Sequence, residues 1–134
     1  MIIVEIGMNH LGSLELVRKY LDVLTSSDID GITLQIREKE YYKENKRKYL
    51  LTDEEYIIIC NIVQKSGKKS GVAIADESKI EFLESIGTNY YKVIRNDINN
   101  NKLVSKLLST GKKIIVSTGL SSDEDIGNFV NKYK

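Results

Sequence analysis

The chain has 134 residues, of which 41% are hydrophobic and 29% are charged. We expect one globular domain over residues 1–134, because this length and composition exclude a fibrous or disordered protein. Twenty basic residues against nineteen acidic ones leave a formal charge of +1, so the overall charge favours neither nucleic acid nor a membrane surface as a partner.

Cysteine content and hydropathy bear on the compartment. Cys60 is the only cysteine, so it cannot form an internal disulfide, and its apolar neighbours indicate a small buried side chain. The N-terminal apolar run is too short for a signal peptide, and no run reaches the roughly 18 apolar residues of a membrane span. We therefore expect a cytoplasmic protein with no membrane partner.

Strand-like and helix-like runs alternate along the chain. The predicted strands are Ile2–Ile6, Gly31–Ile36, Gly71–Ala75, Tyr90–Ile94 and Lys113–Ser117. Between them, apolar residues recur at intervals of three and four, as in helices with one buried face. These predicted helices cover residues 14–24, 53–65, 79–86, 102–108 and about 122 to the C-terminus.

Two helix starts carry a capping-box pattern, in which two side chains three residues apart satisfy each other's backbone N–H groups. Thr52 with Glu55 precedes the second helix, and Ser121 with Glu124 precedes the last one. We expect each pair to fix the residue at which its helix begins.

A long charged connection, Arg37–Tyr49, follows the second strand. Its basic residues and tyrosines weakly resemble a nucleic-acid patch, but acidic residues interrupt it, and we discount that function. A solvated, mobile loop is the favoured interpretation, and a lid over a nearby site is the alternative.

Five repeated strand–helix units predict an α/β fold with parallel strands and right-handed crossovers. One architecture is an open doubly wound, flavodoxin-like sheet, and the other is part of a TIM-barrel-like (βα)8 fold. An open sheet covered on both faces needs strands that are apolar on both sides. Here one face is polar or small, which favours five units of an incomplete parallel barrel. The residues of that face are Glu5, Thr33, Gln35, Ala73, Ala75, Lys92 and Ser117.

If this face lines a barrel lumen, Glu5, Gln35, Lys92 and Ser117 converge at its mouth. A carboxylate, an amide, an ammonium and a hydroxyl together suit a polar, phosphorylated or carbonyl substrate. The alternative is that Glu5 and Lys92 form an ion pair that only neutralises itself. His10 is the only histidine, so we expect no metal site built within this chain.

Several motifs occur in order along nearly the whole chain: IIVEIGMNHLGSLELVRKYLD, GITLQ, DESKIEFLESIGTNYYKV, NDINN and GKKIIVSTGLSSDEDI. Together they resemble the N-terminal part of the sialic acid synthase (N-acetylneuraminate synthase) family, which also makes related nonulosonic acids in surface-carbohydrate biosynthesis. The resemblance implies a (βα)8 barrel that condenses phosphoenolpyruvate with an N-acetylated amino sugar. It also implies a divalent metal, manganese or magnesium, and a C-terminal antifreeze-like domain.

The resemblance assigns roles to individual residues. Glu5 matches a catalytic glutamate that handles water and the developing intermediate, and Lys92 matches a lysine that binds phosphoenolpyruvate. Gln35 and Asp97 match substrate-binding positions. Asn9 lies on the turn that shapes the mouth, and Ser117 begins the loop after the fifth strand.

The chain also departs from the family pattern. Thr33 stands where the family has a lysine, and Val72–Ala75 replace Ser-Thr-Pro-Phe. Ile94 and Arg95 replace Gly-Ser, and Arg95 could restore a cation near the position of Thr33. The family's metal ligands and its antifreeze-like domain are expected outside these 134 residues. We therefore expect weak or no turnover from this chain alone.

Three functions stay open at this point. The first is a synthase-type enzyme with phosphoenolpyruvate and an amino sugar as partners. The second is a non-catalytic assembly or regulatory subunit, because open sheet edges invite pairing with a second copy or with a chain that supplies further strands. The third is a flavodoxin-like open-sheet binding domain.

Overall fold

The structure is a computed structural model that describes residues 1–94 and 97–133. Its five strands are β1 (Ile3–Gly7), β2 (Gly31–Ile36), β3 (Lys69–Ile74), β4 (Tyr90–Val93) and β5 (Lys113–Val116). Its α-helices are α1 (Leu14–Leu24), α2 (Asp53–Lys65), α3 (Ile80–Ser85), α4 (Asn101–Leu108) and α5 (Asp123–Tyr133). Short 3-10 turns cover Lys39–Tyr42, Glu44–Tyr49 and Glu77–Lys79.

The predicted elements agree with these bounds, apart from shifts at their ends. The first two helices have the predicted residues, whereas β3 begins two residues earlier than predicted. The third helix was predicted to begin at Lys79 but begins at Ile80, because the Asp76 side chain accepts a hydrogen bond from the Ser78 backbone N–H and forms a 3-10 turn first. Strands β4 and β5 end before Ile94 and Ser117, although the Ser117 N–H still donates to the Val93 carbonyl at 3.0 Å.

Strand order decides between the two architectures. All four neighbouring pairs are parallel, and the strands lie in the order β1-β2-β3-β4-β5. A doubly wound sheet needs a point at which the strand order reverses, so the flavodoxin-like alternative is wrong. Sequential order with right-handed crossovers places every helix on the same face, as in a barrel. The fold is therefore five βα units of an incomplete parallel barrel.

The core lies between the sheet and its helices. Alternate strand residues, including Ile32, Leu34 and Val72, meet the apolar faces of α1 to α4 in one cluster of buried side chains. Cys60 is buried in α2, as expected, and its burial raises the pKa of the thiol. The cluster thins toward the sheet margins, because α5 has no fully buried residue and β5 is only half-buried.

Only one of the two predicted capping boxes is present. Thr52 and Glu55 each accept a hydrogen bond from the other's backbone N–H, as predicted for α2. The prediction for Ser121 with Glu124 is wrong by one residue. Ser122 Oγ accepts from the Asp125 N–H at 3.1 Å, and Asp125 Oδ2 accepts from the Ser122 N–H at 2.9 Å. The Ser121 hydroxyl is buried without a hydrogen-bond partner among the described residues.

The connection after β2 has more structure than a solvated loop. It forms two 3-10 turns, and the buried Tyr42 hydroxyl accepts a hydrogen bond from the Arg37 N–H at 3.0 Å. This anchor ties the connection to the end of β2. Among the residues described, no helix has the length and apolar character needed to cross a membrane.

Candidate active site

Glu5 and Lys92 meet across the face of the sheet that carries no helices. The Lys92 ammonium donates to Glu5 Oε2 at 2.8 Å, although β1 and β4 are separated by two other strands. In a flat sheet these strands would lie about 14 Å apart, and side chains that stand perpendicular to the sheet would not meet over that distance. The sheet must therefore curve with this face concave, which is the lumen side of a barrel.

This ion pair is partly open to solvent. The Lys92 side chain is 27% exposed and that of Glu5 is 43% exposed. Exposed pairs of this kind stabilise proteins by only about 0–1 kcal/mol, because water screens the charges and the side chains lose freedom. The pair is thus accessible to a ligand and costs little to separate. Without a ligand, the two charges neutralise each other, but the pair contributes little to the free energy of folding.

Gln35 lies next to the irregular end of β1, in the same strand register row as Ala73 and Lys92. The register of β1 against β2 shifts between Glu5 and Gly7, which is the position of a β-bulge. Bulges re-aim side chains next to active sites. A Cβ placed on Gly7 would lie 3.9 Å from Gln35 Oε1, so the amide reaches over the bulge. Gln35 is half-buried at the mouth, as its position in the sequence predicts.

The turn between β1 and α1 closes one side of the mouth. Gly12 has a φ of +77°, and a Cβ there would lie 1.8 Å from the Lys48 carbonyl oxygen. Only glycine permits this contact between the two connections. Ser13 caps α1 by accepting from the Leu16 N–H at 3.2 Å. Asn9 is exposed in this turn, where its N–H donates to the Ile6 carbonyl at 3.0 Å.

His10 supports the same turn from below. Its Nδ1 accepts a hydrogen bond from the Gly12 N–H at 3.0 Å, which places the proton of the neutral ring on Nε2. Nε2 is buried and has no hydrogen-bond partner among the described residues. Burial lowers the pKa of His10, and the Glu55 carboxylate opposes this shift.

The described residues do not fit the divalent metal that the family resemblance implies. Among the side chains that the structure describes, no three His, Cys, Asp or Glu residues come together as a possible ligand set. His10 is enclosed, and one of its ring nitrogens is already used within the turn. This part of the chain therefore offers no metal centre of its own.

Asp97 lies in a second polar group, close to Arg37, Glu38 and Asn100. Burial raises the pKa of Asp97, the Asn100 amide opposes the shift by hydrogen bonding, and the nearby Glu38 carboxylate adds to it. Arg37 pairs with Glu38 through two hydrogen bonds of 3.0 Å. No described contact joins Asp97 to the Glu5–Lys92 pair.

The β5 end of the mouth is less enclosed. Ser117 is half-buried and follows β5 directly, next to the exposed Thr118 and Gly119. Its backbone is fixed by the bond to Val93, but no described side-chain contact links it to Lys92. Arg95, suggested as a replacement cation, lies outside the described residues.

Sequence analysis missed one residue of this face. Tyr90 precedes Lys92 by two positions, so strand alternation alone places it on the concave side. It is buried, and its hydroxyl lies 2.7 Å from the Thr33 Oγ1. Thr33, where the resembled family has lysine, is therefore held by a tyrosine.

Comparison with known proteins identifies the family. A family model described as the NeuB family matches residues 3–134. The chain belongs to the NeuB family. This NeuB-family chain is 24% identical to an N-acetylneuraminate-9-phosphate synthase from Mus musculus, with 90% of this chain and 39% of the relative covered. It is 26% identical to an N,N'-diacetyllegionaminic acid synthase from Campylobacter jejuni, with 98% of this chain and 46% of the relative covered.

A solved structure carries the same fold. The N-acetylneuraminic acid (sialic acid) synthetase from Leptospira borgpetersenii superposes with a TM-score of 0.87 at 26% identity, over 97% of this chain and 48% of that one. The predicted family resemblance and barrel-type fold are thus confirmed for this NeuB-family member. The chain spans less than half the length of these relatives.

Proposed function

We propose that the chain supplies the Glu5–Lys92 part of a sialic acid synthase-type site in surface-carbohydrate biosynthesis. The proposed reaction condenses phosphoenolpyruvate with an N-acetylated amino sugar. The observation that carries the proposal is the 2.8 Å contact between Glu5 and Lys92 across a concave, solvent-accessible face. Membership of the NeuB family supports the same reaction class.

The geometry suggests how the pair works. An anionic group of phosphoenolpyruvate replaces Glu5 as the partner of Lys92, because an ammonium pairs with either a phosphate or a carboxylate. Breaking the half-exposed pair costs little. The Glu5 carboxylate is then free to act as a general base toward water. Gln35 is the neighbouring substrate-binding group, and Asn9, Asp97 and Ser117 are proposed contacts around the mouth.

We do not expect appreciable turnover from these 134 residues alone. Their described side chains provide no metal ligand set, so the manganese or magnesium of the family reaction would need ligands from elsewhere. The proposed compartment is the cytoplasm, in keeping with a single buried thiol.

Calorimetric titration tests the anion site. The wild-type chain should bind phosphoenolpyruvate, and Lys92→Met should weaken binding about 10- to 150-fold, because a hydrogen bond to a charged group contributes about 1.5–3 kcal/mol. Lys19→Met is the matched control, since Lys19 forms a 2.9 Å pair with Glu15 on the exposed surface of α1. Absence of binding to phosphoenolpyruvate and to N-acetylated hexosamines at millimolar concentration would refute the proposal.

A second function rests on a different observation. β1 and β5 are the outermost strands of the described sheet, and exposed apolar side chains occur at Ile2 just before β1, Val23 on α1 and Val130 on α5. Exposed edges and apolar patches favour association. A non-catalytic assembly subunit, pairing with a second copy or with a chain that adds strands, would use these edges. Light scattering at rising concentration distinguishes a monomer from such an assembly.

A further inference from the structure

Tyr90 closes the concave face one side-chain row below Lys92, at the level of Glu5 in the strand register. Although the helices cover only the opposite face, the residue is 2% exposed. Its ring extends from β4 over β3, and its hydroxyl reaches Thr33 on β2 at 2.7 Å. Lys92 is two residues farther along the same strand face, so the ring lies about 7 Å nearer the N-terminal end of the strands.

Two glycines make room for the ring. A Cβ on Gly71 would lie 2.1 Å from two ring carbons, and a Cβ on Gly31 would lie 2.9 Å from the hydroxyl oxygen. Real Cβ atoms do not approach other atoms so closely. Tyr90, Gly71 and Gly31 therefore form one unit, in which the phenol rests directly on the strand backbone.

The Tyr90 phenol in this unit carries no charge. Burial raises the pKa of Tyr90, the hydrogen bond with Thr33 opposes the shift, and the Glu5 carboxylate adds to it. The hydroxyl therefore keeps its proton at neutral pH and has its hydrogen-bond partner in Thr33. The space below a ligand at Lys92 is thus filled by an uncharged ring.

We propose that Tyr90 is the specificity-determining floor of the Lys92 site, so that the site selects compact anions over anions with an aromatic carbon body. The inference rests on the proposed anion-binding role of Lys92. It adds that Tyr90 limits how deeply a ligand can enter the site. The ring already occupies the space into which a bulky substituent would have to insert. Removing the ring leaves a cavity with the shape of the ring, which an aromatic substituent can refill.

Two probe anions test the floor. Pyruvate and phenylpyruvate carry the same 2-oxo carboxylate, and only phenylpyruvate has an aromatic group. Their dissociation constants are measured with the wild type, Tyr90→Ala and Tyr90→Phe. In Tyr90→Ala the preference should shift toward phenylpyruvate at least 10-fold, because fully burying a phenyl group contributes about 1.5–3 kcal/mol. Tyr90→Phe keeps the ring and should keep the wild-type preference, and an unchanged preference in Tyr90→Ala overturns the proposal.

Two further measurements separate this inference from the proposed function. If Lys92→Met binds pyruvate as well as the wild type does, the anion site is wrong, whatever Tyr90 does. If no anion binds, phenol tests the floor directly: it should raise the thermal midpoint of Tyr90→Ala and leave the wild type unchanged. If phenol does not stabilise Tyr90→Ala, the proposed floor is contradicted. Tyr90→Leu replaces Tyr90→Ala in every arm if the alanine variant fails to fold.

Discussion

The segment from Gly7 to Ser13 shows how single residues shape the mouth of the barrel. Gly7 sits at the bulge of β1, His10 holds the turn through the Gly12 N–H, and Ser13 caps α1. The sequence motif shows which residue types are present but not these contacts. His10, which as the only histidine led us to expect no metal site within this chain, is a structural acceptor inside the turn.

Stability should depend on pH through His10. Burial lowers its pKa in the folded chain, with Glu55 in partial opposition, whereas a histidine in the unfolded chain titrates near about 6.5. The unfolded chain therefore takes up the proton first as pH falls. The stabilisation by neutral His10 is complete above this pH and is lost below it, by at most about 1.4 kcal/mol per pH unit.

Urea unfolding between pH 7.5 and pH 5 measures this loss. His10→Asn keeps an acceptor for the Gly12 N–H but cannot titrate, so it should lose less stability over the same range. Carboxylate titrations are common to both proteins and cancel in the comparison. Equal losses in the two proteins would show that His10 does not control the pH dependence.

Helix ends show how local signals act at the scale of elements. The Thr52 and Glu55 box forms as predicted, but α5 uses Ser122 and Asp125 instead of the predicted pair. Both serines fit the pattern in the sequence, since each has an acidic residue three positions later. Because α5 begins at Asp123, Ser122 is the residue that caps it, and the sequence alone does not fix this start.

Two neighbouring serine variants test this choice. Ser122→Ala should destabilise α5 by about 1 kcal/mol, which corresponds to roughly fivefold faster amide hydrogen exchange in its first turns. Ser121→Ala should not speed exchange, because the Ser121 hydroxyl is buried without a described partner. Hydrogen exchange monitored by NMR gives both rates. Faster exchange in Ser121→Ala than in Ser122→Ala would restore the original assignment.

At the scale of the whole molecule, the described sheet is curved but not closed. Each outermost strand, β1 and β5, has one described neighbour, and the helices beside them, α1 and α5, are less buried than the central ones. The contact between Glu5 and Lys92 and the contact between Tyr90 and Thr33 bridge the concave face between non-adjacent strands.

Lysine substitutions near the sheet edges should reduce self-association. Ile2→Lys and Val130→Lys place a cation beside β1 and on α5, and each should reduce self-association, because charged edges resist pairing. Leu108→Lys is the control, since Leu108 on α4 is 44% exposed and Val130 is 45% exposed. Light scattering should show a smaller mean mass for the two edge variants only. A wild-type chain that stays monomeric at high concentration would contradict edge pairing.

Most of the fold was predicted from the alternation of apolar residues in strands and their periodic spacing in helices. The apolar spacing of the helices, the five strand runs and the polar lumen face follow from local patterns, because burial imposes a period of two on strands and 3.6 on helices. The same reasoning places Tyr90 on the lumen face, because Tyr90 and Lys92 are two residues apart on one strand. Its residue type alone does not distinguish it from a core tyrosine such as Tyr91, which is also buried.

The sequence by itself determined the parallel α/β class, the family, and the residues that lie on the lumen side. Only the tertiary structure decided that the strands run in sequential order, that Glu5 contacts Lys92, and that Asp97 belongs to a separate polar group. The reason is that the spacing of buried and exposed side chains is a property of a single strand or helix. Contacts between residues 87 positions apart depend instead on sheet curvature and register, which all five strands set together.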